Sequence, residues 1–262
     1  MTDLAPDYAF PHVAADESRR LQLFEQRLDP LTIRRIEHLG VTPDARCLEV
    51  GGGHGSITRW LCDFVGSGGH VTVTDLQTDF LSALSLPNLT VLRHDLRTDD
   101  FPARSFDFVH ARAVLMHVDQ RMTILNRMVS WLAPGGWILL EEPDFGMWEA
   151  DLDPLWSAHP RAWHEAFPHG SMSQGRALLR QIRRLGLEDV GADAELDIVS
   201  PGTPSAMFYQ LSMAVMQQRC IEAGILTSAE ASTLTARPTD PDFLGCGFAY
   251  IGAWGRTPRP PA

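Results

Sequence analysis

The sequence has no apolar run long enough to cross a bilayer, no CxxC pairing among its four cysteines, and no excess of basic over acidic side chains. Each absence removes a class of protein. A membrane span needs about 20 consecutive apolar residues, so a soluble chain without a membrane partner is expected. Cys47, Cys62, Cys220 and Cys246 stand in no metal or redox spacing, which points to reduced thiols and a cytoplasmic location. The opening MTDLAPDYAFPHV lacks the basic and apolar regions of a signal peptide. With 22 Lys and Arg against 33 Asp and Glu, the formal net charge is −11, and nucleic acid is not an expected partner. Arg176, Arg180, Arg183 and Arg184 share one segment, but their spacing against Leu178, Leu179, Ile182 and Leu185 is that of a solvated helix face.

What the chain does have is the stretch Cys47–Thr58, CLEVGGGHGSIT. A short apolar strand, Cys47–Val50, carries one charged residue, Glu49. Gly51, Gly52, Gly53 and Gly55 follow, and from His54 the residues Ile57, Trp60, Leu61 and Phe64 recur with helical period. Glycines between a strand and a helix permit positive φ and let a ligand approach the main chain. The helix N-terminus adds unpaired N–H groups aimed at that ligand. The spacing is not the dinucleotide fingerprint G-x-G-x-x-G, because Ser56 or Thr58 stands where its last glycine is required. It is E-x-G-x-G-x-G, from Glu49 through Gly51, Gly53 and Gly55.

Downstream, His70–Thr74 alternates as a second strand ending in Asp75, a carboxylate with enough acceptor capacity for both hydroxyls of a ribose. Leu76 beside it is placed to pack on an adenine face. A helix is expected over 77–84 and a third strand over 89–94, running into His94-Asp95-Leu96. SFDFV at 105–109 opens a fourth strand. A helix over 120–132 stops at LAPGG, 132–136, a turn with two breakers, before a fifth strand over 137–141.

Taken in order over residues 45–145, these segments resemble the class I S-adenosylmethionine-dependent methyltransferases. The resemblance implies an α/β fold: a Rossmann-like, seven-stranded, mostly parallel sheet with an antiparallel last strand, helices on both faces and a helical cap over the strand carboxyl ends. It implies S-adenosyl-L-methionine as cofactor, held by Glu49, Gly51, Gly53, Gly55, Asp75 and Leu76. Asp95 would bond the adenine amine and the Leu96 N–H a ring nitrogen, with Ala111 and Arg112 alongside at the end of the fourth strand. Arg19 and Arg20, on a helix ahead of the first strand, would meet the methionine carboxylate or form a solvent-facing pair. Tyr8 and Phe10 have two similar readings, cofactor lid or plain packing. The implied reaction is methyl transfer to a small, apolar or aromatic metabolite of the kind found in bacterial specialised metabolism, on oxygen or nitrogen before carbon. Three rivals stand beside it: a relative using the bound cofactor for cyclisation or rearrangement, a nicotinamide-dependent oxidoreductase, opposed by Ser56, Thr58 and LAPGG, and a non-catalytic ligand-binding protein.

Residues 1–40 read as a helical lid segment and 41–262 as the cofactor-binding domain, with insertions at 146–172 and 203–240. Within 16–39 the helical pattern is interrupted by Pro30, with Asp16 as N-cap. The first insertion holds Trp148, Trp156, Trp163, His159, His164 and His169. A helix over 173–185, a strand near 189–199, a long helix over 203–223, a capping box at Thr227–Glu230 and a strand over 245–254 complete the chain. Methyl transfer from a sulfonium consumes positive charge, so it asks for alignment and exclusion of water. An oxygen or acidic carbon acceptor also needs a base near neutral pKa. His117, just after the fourth strand, is one candidate, or else a structural turn histidine; His164 and His169 are others. Glu141, Glu142 and Asp144, in the EEPD of 141–144, bind an acceptor amine or hydroxyl or are solvated loop acids. No metal is expected, and the tryptophan- and methionine-rich insertions line an apolar acceptor or form core. A small-molecule acceptor is the expected partner, with a homodimer left open.

Overall fold

The computed structural model describes residues 15–166 and 171–259. Helix α1 (Ala15–Leu39) leads to β1 (Arg46–Val50), α2 (Ser56–Val65), β2 (His70–Asp75), β3 (Leu89–Arg93), β4 (Phe106–Arg112), α3 (Arg121–Ser130) and β5 (Leu132–Asp144). Then come α4 (Gly146–Glu149), α5 (Pro154–Ala166), α6 (Gln174–Gln181), β6 (Glu188–Val199), α7 (Pro204–Glu222), α8 (Ser228–Ala236) and β7 (Gly245–Arg256). The strands make one sheet in the order β3-β2-β1-β4-β5-β7-β6, parallel through β5 and antiparallel at the last strands. Strand order reverses between β1 and β4. That switch point, at the strand carboxyl ends, is where open α/β sheets bind ligands.

Contacts divide the chain into two compact units, with boundaries inside α1, β5, α6, β6 and β7. One unit comprises residues 29–142, 175–193 and 251–259; the other comprises 15–28, 143–166, 171–174 and 194–250. This differs from the expected division at residue 40, because α1 is shared.

In the first unit, period-two alternation sorts each central strand between two cores. Leu48, Val50, Val109, Ala111, Ile138 and Leu140 face Leu125 and Met128 of α3 and Leu178 of α6. Cys47, Phe108 and Leu139 face Ile36 of α1 and Ile57 and Leu61 of α2. The amphipathic stripe read from His54 onward is therefore the buried face of α2. Burial pushes the Cys62 thiol up to about 11 and the Cys47 thiol higher still, so both stay protonated.

The second unit has an aromatic centre. Trp148 and Trp156 are fully buried with ring centroids 4.9 Å apart, and Tyr209 meets Trp148 edge-on at 4.9 Å. Trp156 donates from Nε1 to the Cys246 carbonyl at 2.7 Å, and the Phe248 N–H donates to the Tyr209 hydroxyl at 2.9 Å. These side chains are packed core. The expected capping box is present, Thr227 and Glu230 bonding each other's backbone N–H at the start of α8.

Three expectations about elements need correction. Pro30 does not interrupt α1, which runs through it, and Asp16 lies inside the helix rather than at its N-cap. An internal proline costs about 3 kcal/mol; burial of Leu23 and Leu28 before it and of Leu31 and Ile36 after it offsets that cost. The helix expected over 77–84 is one 3-10 turn, Leu81–Ala83, since Thr78, Asp79 and Ser82 are weak helix formers and Pro87 lies close behind. LAPGG belongs to β5 itself. The register slips between the Phe106–Leu132 and Phe108–Trp137 pairs, and Gly135 takes φ +79° there.

Candidate cofactor site

At the switch point the glycine loop is pinned to β2. The N–H groups of Gly51 and Gly52 donate to the Thr74 carbonyl at 2.8 and 3.0 Å, and the Gly53 N–H to Asp75 Oδ2 at 3.1 Å. The other oxygen of Asp75 accepts from the Gln77 N–H at 3.1 Å. Asp75 therefore shapes the loop at the end of β2. Leu76 beside it is 40% exposed, unusual for a large apolar side chain next to buried strands.

Two glycines differ in what they permit. Gly51, at φ +71°, lies against Val114, and a Cβ would collide with that side chain. Gly53, at φ +56°, has nothing among the described residues within 4 Å of where its Cβ would be. Its backbone faces open space, the condition for close approach of a ligand. The N-terminus of α2 follows directly, and no side chain caps it.

Asp95 follows β3. Its carboxylate receives Arg97 Nη2 at 2.7 Å and the Arg97 N–H at 2.9 Å, and these bonds hold it below the usual carboxylate range. Leu96 is buried in the core. Ala111 is buried at the end of β4, while the Arg112 guanidinium donates to Asp29 Oδ1 at 2.9 Å and to Thr32 Oγ1 at 3.1 Å.

Glu49 is buried, and its carboxylate accepts from His110 Nδ1 at 2.6 Å, across the sheet from the glycines. Glu142 is fully buried too, and receives the N–H groups of Val114 (3.0 Å), Leu115 (2.6 Å) and Met116 (3.1 Å). Burial pushes its carboxyl up to about 8 against the pull of those donors. Glu142 thus anchors the turn whose Val114 abuts Gly51. The reading of Glu141, Glu142 and Asp144 as solvated acids is likewise overturned, since β5 extends through all three and buries them. His117 ends the same turn and is exposed.

The remaining candidates lie in the second unit. Arg20 is buried and ion-paired with Glu17 at 2.7 Å, its guanidinium 5.6 Å from the Phe208 ring. Arg19 is exposed, and its Nη2 lies 3.9 Å from Met207 Sδ. His164 is exposed on α5. His169, Tyr8 and Phe10 lie outside the described residues. No group of three potential metal ligands occurs among the described residues.

Sequence reasoning missed the polar side chains behind the loop, Asp29, Thr32, Arg35, Ser56 and His110, and the part Glu141 plays among them. Alternation held a signal. Glu49, His110 and Glu141 share the strand face of Cys47, Phe108 and Leu139, so they were bound for the interior together.

A glycine loop, an acid on the adjoining strand and an exposed apolar neighbour at the switch point of a parallel sheet define a protein that binds a nucleoside-bearing cofactor. The family follows from comparison. A family model described as a methyltransferase domain matches residues 19–192, and the chain belongs to that family, the class I S-adenosylmethionine-dependent methyltransferases. Over 115 residues, 41% of this chain and 45% of the other, it is 30% identical to the ubiquinone/menaquinone biosynthesis C-methyltransferase UbiE of Ectopseudomonas mendocina. The chain spans under half the length of the curated relatives it matches, from 16% to 45%. Phosphoethanolamine N-methyltransferase 2 of Haemonchus contortus has a TM-score of 0.62 at 14% identity, over 98% of this chain and 61% of that one. The cyclase SpnF has a TM-score of 0.53 at 16% identity, over 90% of this chain and 82% of that one. At such identities the likeness is one of fold.

Proposed function

We propose that the protein transfers the methyl group of S-adenosyl-L-methionine to a small-molecule acceptor. The observation that carries this reading is the loop at Gly53, open to a ligand and held in shape by the Asp75 carboxylate. Membership of the methyltransferase family names the cofactor.

When bound, the cofactor supplies an electrophilic methyl group on a sulfonium. The chain's residues bind and orient. Asp75 offers a carboxylate to the ribose hydroxyls, Leu76 an apolar surface to the adenine, and Asp95 an acceptor to the adenine amine. The open end of α2 presents N–H groups to the polar part of the ligand. His117, exposed on the turn that Glu142 anchors, is the base for an acceptor that must lose a proton. Glu142 takes no part in proton transfer, because three N–H groups occupy it.

The net charge of −11 supports a small acceptor over nucleic acid, as in specialised metabolism. Similarity to UbiE and to a phosphoethanolamine methyltransferase brings carbon and nitrogen acceptors alongside the oxygen acceptors favoured by simple chemistry. An apolar acceptor rests on the UbiE similarity alone, since Trp148 and Trp156 are core. A second reading has support in the shared fold of the cyclase SpnF: the bound cofactor assists a rearrangement and keeps its methyl group. Incubation with S-adenosylmethionine and a panel of phenols, quinones and amines, read by mass spectrometry, separates the two. A product heavier by one CH2, with S-adenosylhomocysteine formed, supports transfer; a rearranged product of unchanged mass supports the rival.

A further inference from the structure

The sheet face beneath α1 carries a buried circuit of charges. His110 Nδ1 lies 2.6 Å from Glu49 Oε2, and its Nε2 lies 2.9 Å from Glu141 Oε2. Carboxylates only accept, so both ring nitrogens donate and the ring is an imidazolium. Glu141 is held from α1 by Arg35 and by the Thr32 hydroxyl, which donates at 2.6 Å. Thr32 in turn accepts from Arg112, and Arg112 also donates to Asp29. Asp29 Oδ1 accepts from Ser56 Oγ at 3.0 Å.

The two ends of this circuit are informative. Glu49 precedes Gly51 by two residues, and Ser56 follows Gly55 directly. The glycine loop is therefore tied at its entry and its exit to one network running through α1, β4 and β5, buried at His110 and Glu141 and partly buried at Asp29 and Ser56. Burying charges costs stability that apolar side chains of similar volume would not cost. A network placed at this expense, and ending on both sides of a ligand loop, has a use at that loop.

We propose that the circuit sets the affinity of the glycine loop for the adenosyl cofactor, with protonated His110 as the positioning residue. The proposal rests on the cofactor reading above. Glu49 faces His110 from β1 and Glu141 from β5. Arg35 of α1 stands behind Glu141 with Asp193 of β6 bonded to it, and Arg112 on His110's own strand pairs with Asp29 of α1. Burial opposes the charge on His110, but the two carboxylates outweigh it and raise the ring to about 9. The tie is intact at neutral pH and loosens in alkali.

The experiment is calorimetric titration with S-adenosylhomocysteine from pH about 7 to about 10, on wild type, Glu141→Gln and Thr32→Val, with circular dichroism and melting at each pH. The ligand's amino group titrates alike in all three proteins, so differences between them belong to the protein. In Glu141→Gln the alkaline loss of affinity should begin roughly one pH unit earlier than in wild type, leaving it on the order of tenfold weaker where wild type still binds. Thr32→Val removes one hydroxyl, keeps both carboxylates, and should bind several-fold more weakly at every pH with an unmoved alkaline midpoint. Superimposable affinity profiles for folded variants, or a lowered melting temperature with unchanged affinity, would overturn the proposal. A wild type that binds at no pH would overturn the cofactor reading itself, and the proposal with it.

Discussion

Raising the pH from about 6.5 to about 9 should weaken the fold, because buried His110 and Glu142 both hold their protons above their ordinary values. His110 is fully buried between two carboxylates, and its value rises from 6.5 to about 9. A shift of roughly 2.5 units at about 1.4 kcal/mol each is on the order of 3 kcal/mol of folding stability. A group whose folded-state value is raised contributes fully below its unfolded value and loses the contribution as pH climbs through the folded one. For His110 that window runs from 6.5 to about 9. Glu142, pushed up from 4.5 to about 8, acts in the same direction at lower pH. Glu141 is held down near 2 by His110 and Arg35 despite burial, so its contribution is complete above 4.5 and is lost only in acid. The sum is a stability maximum in mildly acid solution and a decline into alkali. Urea unfolding followed by tryptophan fluorescence at pH about 5.5, 7.5 and 9.5 measures it. A midpoint that is flat or rising over that range would refute the assignment of charge to His110.

Other substitutions separate loop from scaffold. Gly53→Ala meets no neighbour but strains a positive φ, so it should cost only about 1 kcal/mol of stability; it should weaken S-adenosylhomocysteine binding far more than that, which calorimetry and a thermal melt together would show. Glu142→Ala strands three buried N–H groups. At about 1–3 kcal/mol for each unsatisfied group, a loss of roughly 3 kcal/mol or more is expected in a denaturant titration. Trp156→Ala removes a fully buried ring and the donor to Cys246, and should cost about 3–5 kcal/mol; if it left the melt unchanged, the aromatic unit would not be core.

Much of the sheet was legible because alternation and glycine punctuation are local signals. β1 and α2 lie where the period changes from two to 3.6 around CLEVGGGHGSIT, and β2 and β4 lie on the alternating runs that follow. What was not legible depended on partners distant in sequence. Pro30 reads as a breaker until the buried leucines on both sides of it outweigh one lost hydrogen bond. Trp148 and Trp156 read equally as a ligand lining or as core, and their packing on Tyr209, and that of Trp156 on Phe243, more than 50 residues downstream, decides for core. EEPD reads as a solvated tail of β5 because charge suggests exposure; Glu141 finds Arg35 and His110, and Glu142 finds a row of N–H groups, none of them adjacent in the chain. Asp75 was found because its place after the second strand is a topological signal. Its bond to the Gly53 N–H, which makes it part of the loop's own shape, was not.

The most direct test of the account is calorimetric titration of the protein with S-adenosylmethionine, S-adenosylhomocysteine and NAD, repeated on Asp75→Ala. Micromolar binding of the two adenosyl sulfur ligands without NAD, lost by on the order of tenfold or more in the variant, is the predicted result, since each hydrogen bond to a charged group contributes about 1.5–3 kcal/mol. Binding of NAD in their place, or equal binding to wild type and variant, would contradict the site built on Gly53 and Asp75.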